Sequence, residues 1–383
     1  MIQLHDHAVG GHAPVLVVAE CGINHNGSLE MALRLIEAAA EAGAGAVKFQ
    51  LFRAEGMYTP RAGMYRTATG DLVPIYELMR EVELPVEWLP HLSRGCRDHG
   101  VEFIMTVCDE WCVAQMDPVD FDVYKIASYE IEHLPMLAEI ARRDKPVFLS
   151  TGAATMAEVS EAMDVLAPDG TRPVGLFQCT AKYPAPEDAL NLGVIETFAA
   201  RFGNIVAGFS DHSRDPLKAP VQSVYHGAKV IEKHFTLDRN LPGADHSFAV
   251  EPADLRDLVA AVREAEAGMD NRRVGAPVPG AHQPAGGPAG LRGDWLDPLL
   301  AGDGVKRVEP VEDGLRHFAT RGLFSIADIA PGEAFGPHNL RVLRPGELPQ
   351  GLHPRHYAEL VGGGVAAREL PAWTGLQWDD VRR

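Results

Sequence analysis

Two histidines follow two successive predicted strands near the middle of the chain. His212 ends the run GFSDH, His234 ends the run IEKH, and the segment between them has the length and the Ala and Val content of a helix. In a βαβ unit both strands end on the same face, so the two imidazoles are predicted to meet there. With Asp211, Glu232 and Asp245 nearby, they suit a borderline divalent metal. The alternative is that each histidine caps a helix or packs in the core.

Two lysines lie inside apolar predicted strands, Lys48 in AVKFQ and Lys125 in VYKIA. A buried lysine is costly unless it is paired or binds an anion. Other polar residues also fall at the carboxyl ends of predicted strands: Glu20, Gln50, Thr106, Ser128, Glu130, Ser150, Thr180 and Ser210. The two lysines and the several hydroxyl groups of this set, converging on one face, predict a pocket for a small phosphorylated anion. Any single serine among them is better explained as a turn or N-cap residue.

A closed barrel would bring these residues together. About eight strand-then-helix repeats lie within residues 14–268, beginning with the β-branched run PVLVVAE. That number and a length of ~250 residues predict an α/β fold, a (β/α)8 TIM barrel, in which the active site lies at the carboxyl ends of the strands. The irregular segment at residues 53–73 is predicted to cover that site.

The repeat stops after residue 268, so residues 1–268 are predicted to be the catalytic barrel domain. Residues 269–315 are predicted to be a linker, with a Gly/Pro/Ala-rich insert at residues 274–298. Residues 316–383 have short apolar runs between turn signals and predict a small β-rich domain, too short for a second barrel. We expect this last domain to act as a lid or an oligomer contact.

The composition narrows the classes of function. A formal net charge of −18 argues against a nucleic-acid partner. The five cysteines lack CxxC spacing and predict neither a disulfide framework nor a zinc knuckle. No signal peptide and no run of ~18 apolar residues is visible, so we expect a cytoplasmic protein without a membrane partner.

The motifs together identify a family. They are AECGINHNG, AVKFQ, KIASYE, LSTGAAT, GFSDH, IEKHFTLDRNLPGADH and, in the last domain, IADIAPGEA and RPG. In this order they resemble the sialic acid synthase family, which includes N-acetylneuraminate, pseudaminic acid and legionaminic acid synthases. The resemblance covers nearly the whole chain. It implies a metal-dependent TIM barrel followed by a C-terminal antifreeze-like (SAF, β-clip) domain.

The resemblance also implies a reaction. Such enzymes condense phosphoenolpyruvate with the open-chain aldehyde of an N-acetylated amino sugar, giving a 2-keto-3-deoxy sugar acid and phosphate. Carbon 3 of phosphoenolpyruvate attacks the aldehyde, water adds at carbon 2, and phosphate leaves with C–O cleavage. His212 and His234 would hold Mn²⁺, or another divalent ion such as Mg²⁺ or Co²⁺, which polarises the aldehyde. Glu20 would be the general base for the water, with Gln50 beside it.

The resemblance further assigns residues to the two substrates. The phosphoenolpyruvate cradle would comprise Lys48, Thr106, Lys125, Ser128, Ser150 and Ser210. Glu130, Tyr183 and Asp245 would contact the sugar. Arg344, in RPG, matches an arginine that reaches the partner subunit's barrel and contacts the acyl group of the sugar, which implies a domain-swapped homodimer. A surface turn is the alternative for Arg344.

Several residues depart from the family pattern, mostly near the acceptor. They are Val107, Cys108, Tyr129, Gln178, Ala181, Ala249 and the insert at residues 274–298. Three alternatives therefore stay open: the same chemistry on a different aldehyde from a specialised pathway, a metal-dependent aldolase that does not use phosphoenolpyruvate, and a catalytically silent sugar-binding protein. The lysines argue against the aldolase, and the intact Glu20 and histidines argue against the silent protein.

Overall fold

A computed structural model describes residues 1–67, 70–273 and 297–382. Within this part of the chain, eight parallel strands close into a barrel in sequence order, with the last strand pairing with the first. This confirms the predicted TIM barrel. The strands are β1 Leu16–Gly22, β2 Ala46–Leu51, β3 Glu102–Val107, β4 Val123–Ile126, β5 Val147–Ser150, β6 Val174–Cys179, β7 Ile205–Asp211 and β8 Val230–His234.

One main helix follows each strand and packs on the outside of the barrel. These helices are α1 Leu29–Glu41, α2 Leu89–Asp98, α3 Glu110–Met116, α4 Leu134–Ala141, α5 Met156–Leu166, α6 Val194–Arg201, α7 Lys218–Tyr225 and α8 Pro252–Arg273. Helix α1 shows why they form: the Ser28 side chain caps its first turn, and residues at helical spacing, such as Leu35 and Ile36, are buried against the strands. Between β2 and α2, short helices Ala54–Met57 and Ile75–Glu81 flank a hairpin of Met64–Arg66 and Leu72–Pro74.

The side chains that point into the barrel change from apolar to polar along each strand. An N-terminal hairpin of Ile2–Gln3 and Ala8–Val9 covers the amino end of the barrel. At that end the inward side chains form an apolar layer of Leu16, Val18, Ala46, Ile104, Val123, Phe148, Phe177, Val206 and Val230. Because side chains alternate along a strand, the next inward positions after Val18, Ala46 and Val123 are Glu20, Lys48 and Lys125. The alternation therefore brings the polar residues to the carboxyl end of the barrel.

The last part of the chain forms a small β-rich unit, as predicted. Strands Gly322–Ser325 and Leu340–Leu343 pair in antiparallel fashion, as do Val365–Ala366 and Val381–Arg382. Helix Tyr357–Gly363 completes the unit, which has its own apolar core that includes Leu323, Phe335 and Leu370. Nearly all of the predicted insert at residues 274–298 lies outside the described residues. Among the described helices, none is both long and apolar enough to cross a membrane.

Candidate active site

A cavity lies at the carboxyl ends of the barrel strands, under the last domain and the segment between β2 and α2. Most of the residues that the sequence singled out line it: Glu20, Lys48, Gln50, Thr106, Lys125, Ser128, Ser150, Tyr183, Ser210, His212, His234, Asp245 and Arg344. Glu130 and Thr180 are the exceptions among the strand-end residues predicted for the site; the Thr180 hydroxyl instead donates to the carbonyl of Ala189 at 2.8 Å. The position of the cavity agrees with the rule that barrel enzymes assemble their sites at this rim.

Two buried lysines converge on one carboxylate in the cavity. Lys125 Nζ lies 3.6 Å and Lys48 Nζ lies 3.8 Å from Glu232 Oε1. Burial alone would raise the pKa of Glu232, but the charges of Lys125 and Lys48 lower it below its usual value. The sequence analysis placed Glu232 near the histidines without a role of its own. Its spacing of two residues from His234, on the same strand, was the signal that both face inward.

Hydroxyl groups complete the surroundings of the lysines. Lys48 Nζ donates to Thr106 Oγ1 at 2.9 Å, and Lys125 Nζ donates to Ser150 Oγ at 2.6 Å. Ser210 Oγ donates to Glu232 Oε1 at 3.0 Å. These two lysines and three hydroxyl groups come from five different strands, so the closed barrel is what brings them together.

Glu20 lies at the edge of the lysine pair. Its Oε1 accepts a hydrogen bond from Gln50 Nε2 at 2.6 Å, and its Oε2 pairs with Lys48. Burial raises the pKa of Glu20, and the charge of Lys48 opposes that shift only in part. The structure thus places Gln50 beside Glu20, and their catalytic roles stay predictions. A buried carboxyl with a raised pKa and a fixed orientation is suited to accepting a proton.

The two histidines face each other across the cavity, with ring centroids 5.4 Å apart. His212 Nδ1 lies 2.7 Å from the carbonyl oxygen of Thr180. A carbonyl can only accept, so Nδ1 carries a proton, and in the neutral ring Nε2 keeps a free lone pair. Burial alone would lower the pKa of His212, but Cys179 and the Thr180 carbonyl raise it above its usual value. Burial lowers the pKa of His234 well below its usual value, and the positive charges around it lower it further, which favours the neutral ring that metals bind.

The residues around His234 fit a metal ion. Its buried Nδ1 has no hydrogen-bond partner among the described residues, and Asp245 Oδ2 lies 3.6 Å from it. Burial raises the pKa of Asp245 to about 7, and the negative charge of Glu20 adds to the shift. A bound cation would stabilise the charged form of Asp245 and lower its pKa again. Within the described ranges, no group of three or more His, Cys, Asp or Glu residues is already arranged around one point to hold a metal.

Aromatic residues form the side of the cavity away from the lysines. The Tyr183 ring stacks on His212 with centroids 4.2 Å apart. Tyr129, one of the departures from the family pattern, also lines the cavity, and its hydroxyl donates to the carbonyl of Ala181 at 3.2 Å. The Arg344 guanidinium lies between the rings of Tyr58 and Tyr129, at 5.4 and 5.5 Å from their centroids. This side therefore combines one cation with a largely apolar surface.

Glu130 is placed differently from the expectation that it contacts the sugar. It is completely buried outside the cavity lining, and its two oxygens accept hydrogen bonds from Arg321 and Arg344. Two buried guanidinium groups without a nearby negative charge would be strongly destabilising, and the Glu130 carboxylate supplies that charge to both. Arg321 was not predicted as a site residue, because nothing in ATRGLF distinguishes it from a surface arginine. In this structure Arg344 reaches the cavity within one chain, and its origin in a partner subunit stays a prediction.

Comparisons with known proteins agree with the fold. The profile of the NeuB family matches residues 35–273, and that of the SAF domain matches residues 320–382. The chain therefore belongs to the NeuB family, and the predicted resemblance is confirmed. Relatives in this family are named as sialic, pseudaminic and legionaminic acid synthases, and the protein is an enzyme of this kind.

Individual relatives cover almost the whole chain. The spore coat polysaccharide biosynthesis protein SpsE of Bacillus subtilis is 45% identical over 379 residues, covering 99% of this chain and 96% of its own. The N,N'-diacetyllegionaminic acid synthase of Campylobacter jejuni is 31% identical over 353 residues, covering 91% and 94%. The crystal structure of Bacillus subtilis SpsE matches with a TM-score of 0.84 at 43% identity and covers 100% of this chain and 99% of its own.

Proposed function

We propose that this protein condenses phosphoenolpyruvate with the open-chain aldehyde of an N-acylated amino sugar and releases phosphate. The observation that carries the proposal is the convergence of Lys48 and Lys125 on Glu232, in the same cavity as the two histidines. Two buried ammonium groups with hydroxyl donors beside them suit the phosphate and carboxylate of phosphoenolpyruvate. An aldolase that uses pyruvate has no phosphate to bind and no need of the second lysine.

Two lysines and four hydroxyl groups would bind phosphoenolpyruvate. Lys48, Lys125 and the hydroxyls of Thr106, Ser150 and Ser210 hold the anion and fix its enol carbon near the acceptor. Ser128 Oγ accepts from the amide of Gly152 at 2.9 Å and lines the same cavity. Its hydroxyl also interacts with the Cys179 thiol, and the hydroxyl hydrogen could turn from that sulfur to the substrate.

The bond changes require proton transfers at two oxygens. The bond between carbon 3 and the aldehyde carbon forms, and the aldehyde oxygen takes up a proton to become a hydroxyl. A water oxygen adds at carbon 2 and gives up one proton; the bond from carbon 2 to the phosphate oxygen then breaks as the remaining hydroxyl proton is lost with the phosphate and the keto group forms. The products are the 2-keto acid and inorganic phosphate. Glu20 takes the proton from the water, and the amide of Gln50 holds the carboxylate in place.

His212 and His234 would hold the divalent ion, with Asp245 beside them. When bound, such an ion polarises a carbonyl oxygen as a Lewis acid. The neutral state of His234 and the free lone pair of His212 Nε2 support this assignment. Mn²⁺ and Co²⁺ suit a site of nitrogen and carboxylate ligands, whereas Mg²⁺ prefers oxygen ligands and suits the two imidazoles less well.

The acceptor end of the cavity supports an N-acylated sugar with few hydroxyl groups. Arg344 offers a cationic donor there, while Tyr58, Tyr129 and Phe318 present mainly apolar surface. An acyl carbonyl would pair with the guanidinium, and an acyl methyl or a deoxy carbon would pack on the rings. The named relatives include synthases of diacetylated nonulosonic acids, which agrees with this choice.

The test is phosphate release from phosphoenolpyruvate, with Mn²⁺, against N-acetylmannosamine, diacetamido sugars and non-acetylated aldoses. We expect release with at least one N-acylated acceptor and none without an acceptor. Phosphoenolpyruvate labelled with ¹⁸O in the bridging position should transfer the label to phosphate, because the C–O bond breaks. A product formed from pyruvate in place of phosphoenolpyruvate would instead establish the aldolase, and silence across the panel would contradict the proposal.

A further inference from the structure

Arg321 is completely buried and connects several loops at the cavity to the last domain. Its guanidinium donates to Glu130 Oε2 at 2.7 Å and to the backbone carbonyls of Gly56, Cys108 and Val342 at 2.8, 2.7 and 3.0 Å. Gly56 follows β2, Cys108 follows β3 and Glu130 follows β4, whereas Val342 belongs to the last domain. One planar group therefore fixes these four segments relative to one another.

Glu130 transmits this arrangement to Arg344. Its second oxygen, Oε1, accepts a hydrogen bond from Arg344 Nη2 at 2.5 Å. Burial alone would raise the pKa of Glu130, but Arg321 and Arg344 lower it to about 2, so the carboxylate stays charged. With one oxygen held by each arginine, Glu130 has no freedom to rotate away from Arg344.

Arg344 is held with one donor unused. It is more than nine-tenths buried, its Nη1 lies 3.4 Å from the hydroxyl of Tyr58, and it lines the cavity. Its Nε–H has no hydrogen-bond partner among the described residues. A buried, charged donor without a partner is costly, and a substrate oxygen would satisfy it.

We propose that Arg321 is a positioning residue for the acceptor: it orients Glu130 and, through Glu130, holds the Arg344 guanidinium ready for the sugar. This inference rests on the proposed function. Arg316 provides the contrast, because it also joins the last part of the chain to the barrel, through Glu158, yet has no contact with Glu130 or Arg344.

The first experiment compares Arg321→Lys with Arg316→Lys as the matched control. Lysine keeps the charge but has a single ammonium in place of the planar fork, so it reaches fewer of the four acceptors. For Arg321→Lys we expect the KM for the acceptor to rise about tenfold or more, with the KM for phosphoenolpyruvate within about twofold of wild type. Arg316→Lys should leave both near wild type. An equal rise in acceptor KM for both variants would reduce Arg321 to a general interface contact and overturn the inference.

A double-mutant cycle separates positioning from support of the fold. In an Arg344→Ala background, Arg321→Lys should cost less than about twofold more in acceptor kcat/KM, because the residue through which it acts is already gone. A full additional loss in that background would overturn the inference. If Arg321→Lys does not fold, Glu130→Gln takes its place in the same cycle, with the same expected result.

A readout without turnover keeps this test distinct from that of the proposed function. If the wild-type enzyme released no phosphate with any acceptor, the proposed function would fail, and crystal structures of Arg321→Lys and Arg316→Lys would still decide the inference. We expect the Arg344 side chain to leave its contact with Glu130 only in Arg321→Lys. An unchanged Arg344 in that variant would refute the positioning role.

Discussion

The carboxylate of Glu232 lies between the ammonium groups of Lys48 and Lys125, where an anionic substrate would also have to bind. With Glu20 it balances Lys48 and Lys125, so these four charged groups sum to zero. Phosphoenolpyruvate would bring roughly two to three negative charges into this buried place. Buried charge must be paired, and the hydroxyl donors alone do not supply a positive charge. The charge balance of the residues thus gives an independent reason to expect a divalent cation beside His212.

Lys125 tests the assignment of the anion cradle. It is almost completely buried, and its ammonium faces Ser150 and Glu232. Lys125→Ala removes one charge from the cradle, so we expect the KM for phosphoenolpyruvate to rise about 100-fold, with a smaller change in the KM for the acceptor. Steady-state kinetics with each substrate varied in turn measure both. Lys229→Ala, at the amino end of β8, is the control, and an unchanged KM for phosphoenolpyruvate in Lys125→Ala would remove the lysine from the cradle.

The buried loop residue His25 should make the stability of the protein depend on pH. It packs between Phe49 and Trp88, its Nδ1 accepts from the amide of Gly27, and burial lowers its pKa to about 4. The unfolded chain binds the proton at about pH 6.5, whereas the folded chain does not. The contribution of His25 to the free energy of unfolding is therefore fully present above pH 6.5. It falls by up to about 3 kcal/mol as the pH drops to 4.

The variant His25→Asn retains an acceptor for Gly27 but does not titrate in this range. We expect the melting temperature of the wild type to fall more steeply than that of His25→Asn between pH 7 and pH 4.5. Parallel pH profiles of the two proteins would mean that His25 is protonated equally in both states, and would contradict the pKa shift.

At the scale of elements, the N-terminal hairpin closes the end of the barrel opposite to the site. Its turn is held by Glu102, whose buried carboxylate accepts from the amides of His5, Asp6 and His7 at 3.2, 2.8 and 2.8 Å. Glu102→Ala leaves these donors without a partner, so we expect the free energy of unfolding to fall by about 3 kcal/mol. Denaturant unfolding measures the loss, with Glu41→Ala on the surface of α1 as the control.

Glu102→Ala should have the kinetic constants of the wild type at a temperature where the variant is still folded. The carboxylate lies at the amino end of β3, whereas Thr106 of the cavity lies near the carboxyl end of that strand. A change in either KM of Glu102→Ala would show that the two ends of the barrel are coupled, and would contradict the separation of stability from function along the strand.

The sequence predicted the barrel because its strands repeat one pattern, apolar at the start and polar at the end. Val18 before Glu20 and Val123 before Lys125 have the alternation that puts both polar side chains inside. Contacts between distant segments have no such pattern. The N-terminal hairpin has strands of only two residues, and Arg321 meets Glu130 across 191 positions of the chain. The resemblance to the family assigned both Glu130 and Arg344 to the sugar, but no local pattern indicated that Glu130 would pair with Arg344 and with Arg321.

At the scale of the whole molecule, the last domain completes the cavity. The amide of Arg344 donates to the carbonyl of Met57, and that of Glu347 donates to the carbonyl of Ala62, each at 2.8 Å, so the RPGE segment runs along the loop after β2. Residues 274–296, between the end of α8 and the short helix Pro298–Ala301, lie outside the described residues. The contacts at the cavity are the same whichever chain supplies the domain, and the domain-swapped homodimer stays a prediction.

Mixed dimers test that prediction. Lys125→Ala and Arg344→Ala damage the barrel and the last domain separately, so we expect each homodimer to be impaired in its own substrate. If domains are swapped, a heterodimer of the two has one site with both lesions and one with neither, and about half of the wild-type activity returns. Differently tagged chains, co-expressed and purified through both tags, provide the heterodimer, and each variant co-expressed with itself is the control. Absence of recovery in a purified heterodimer would show that each cavity uses Arg344 of its own chain, because every site would then retain one lesion.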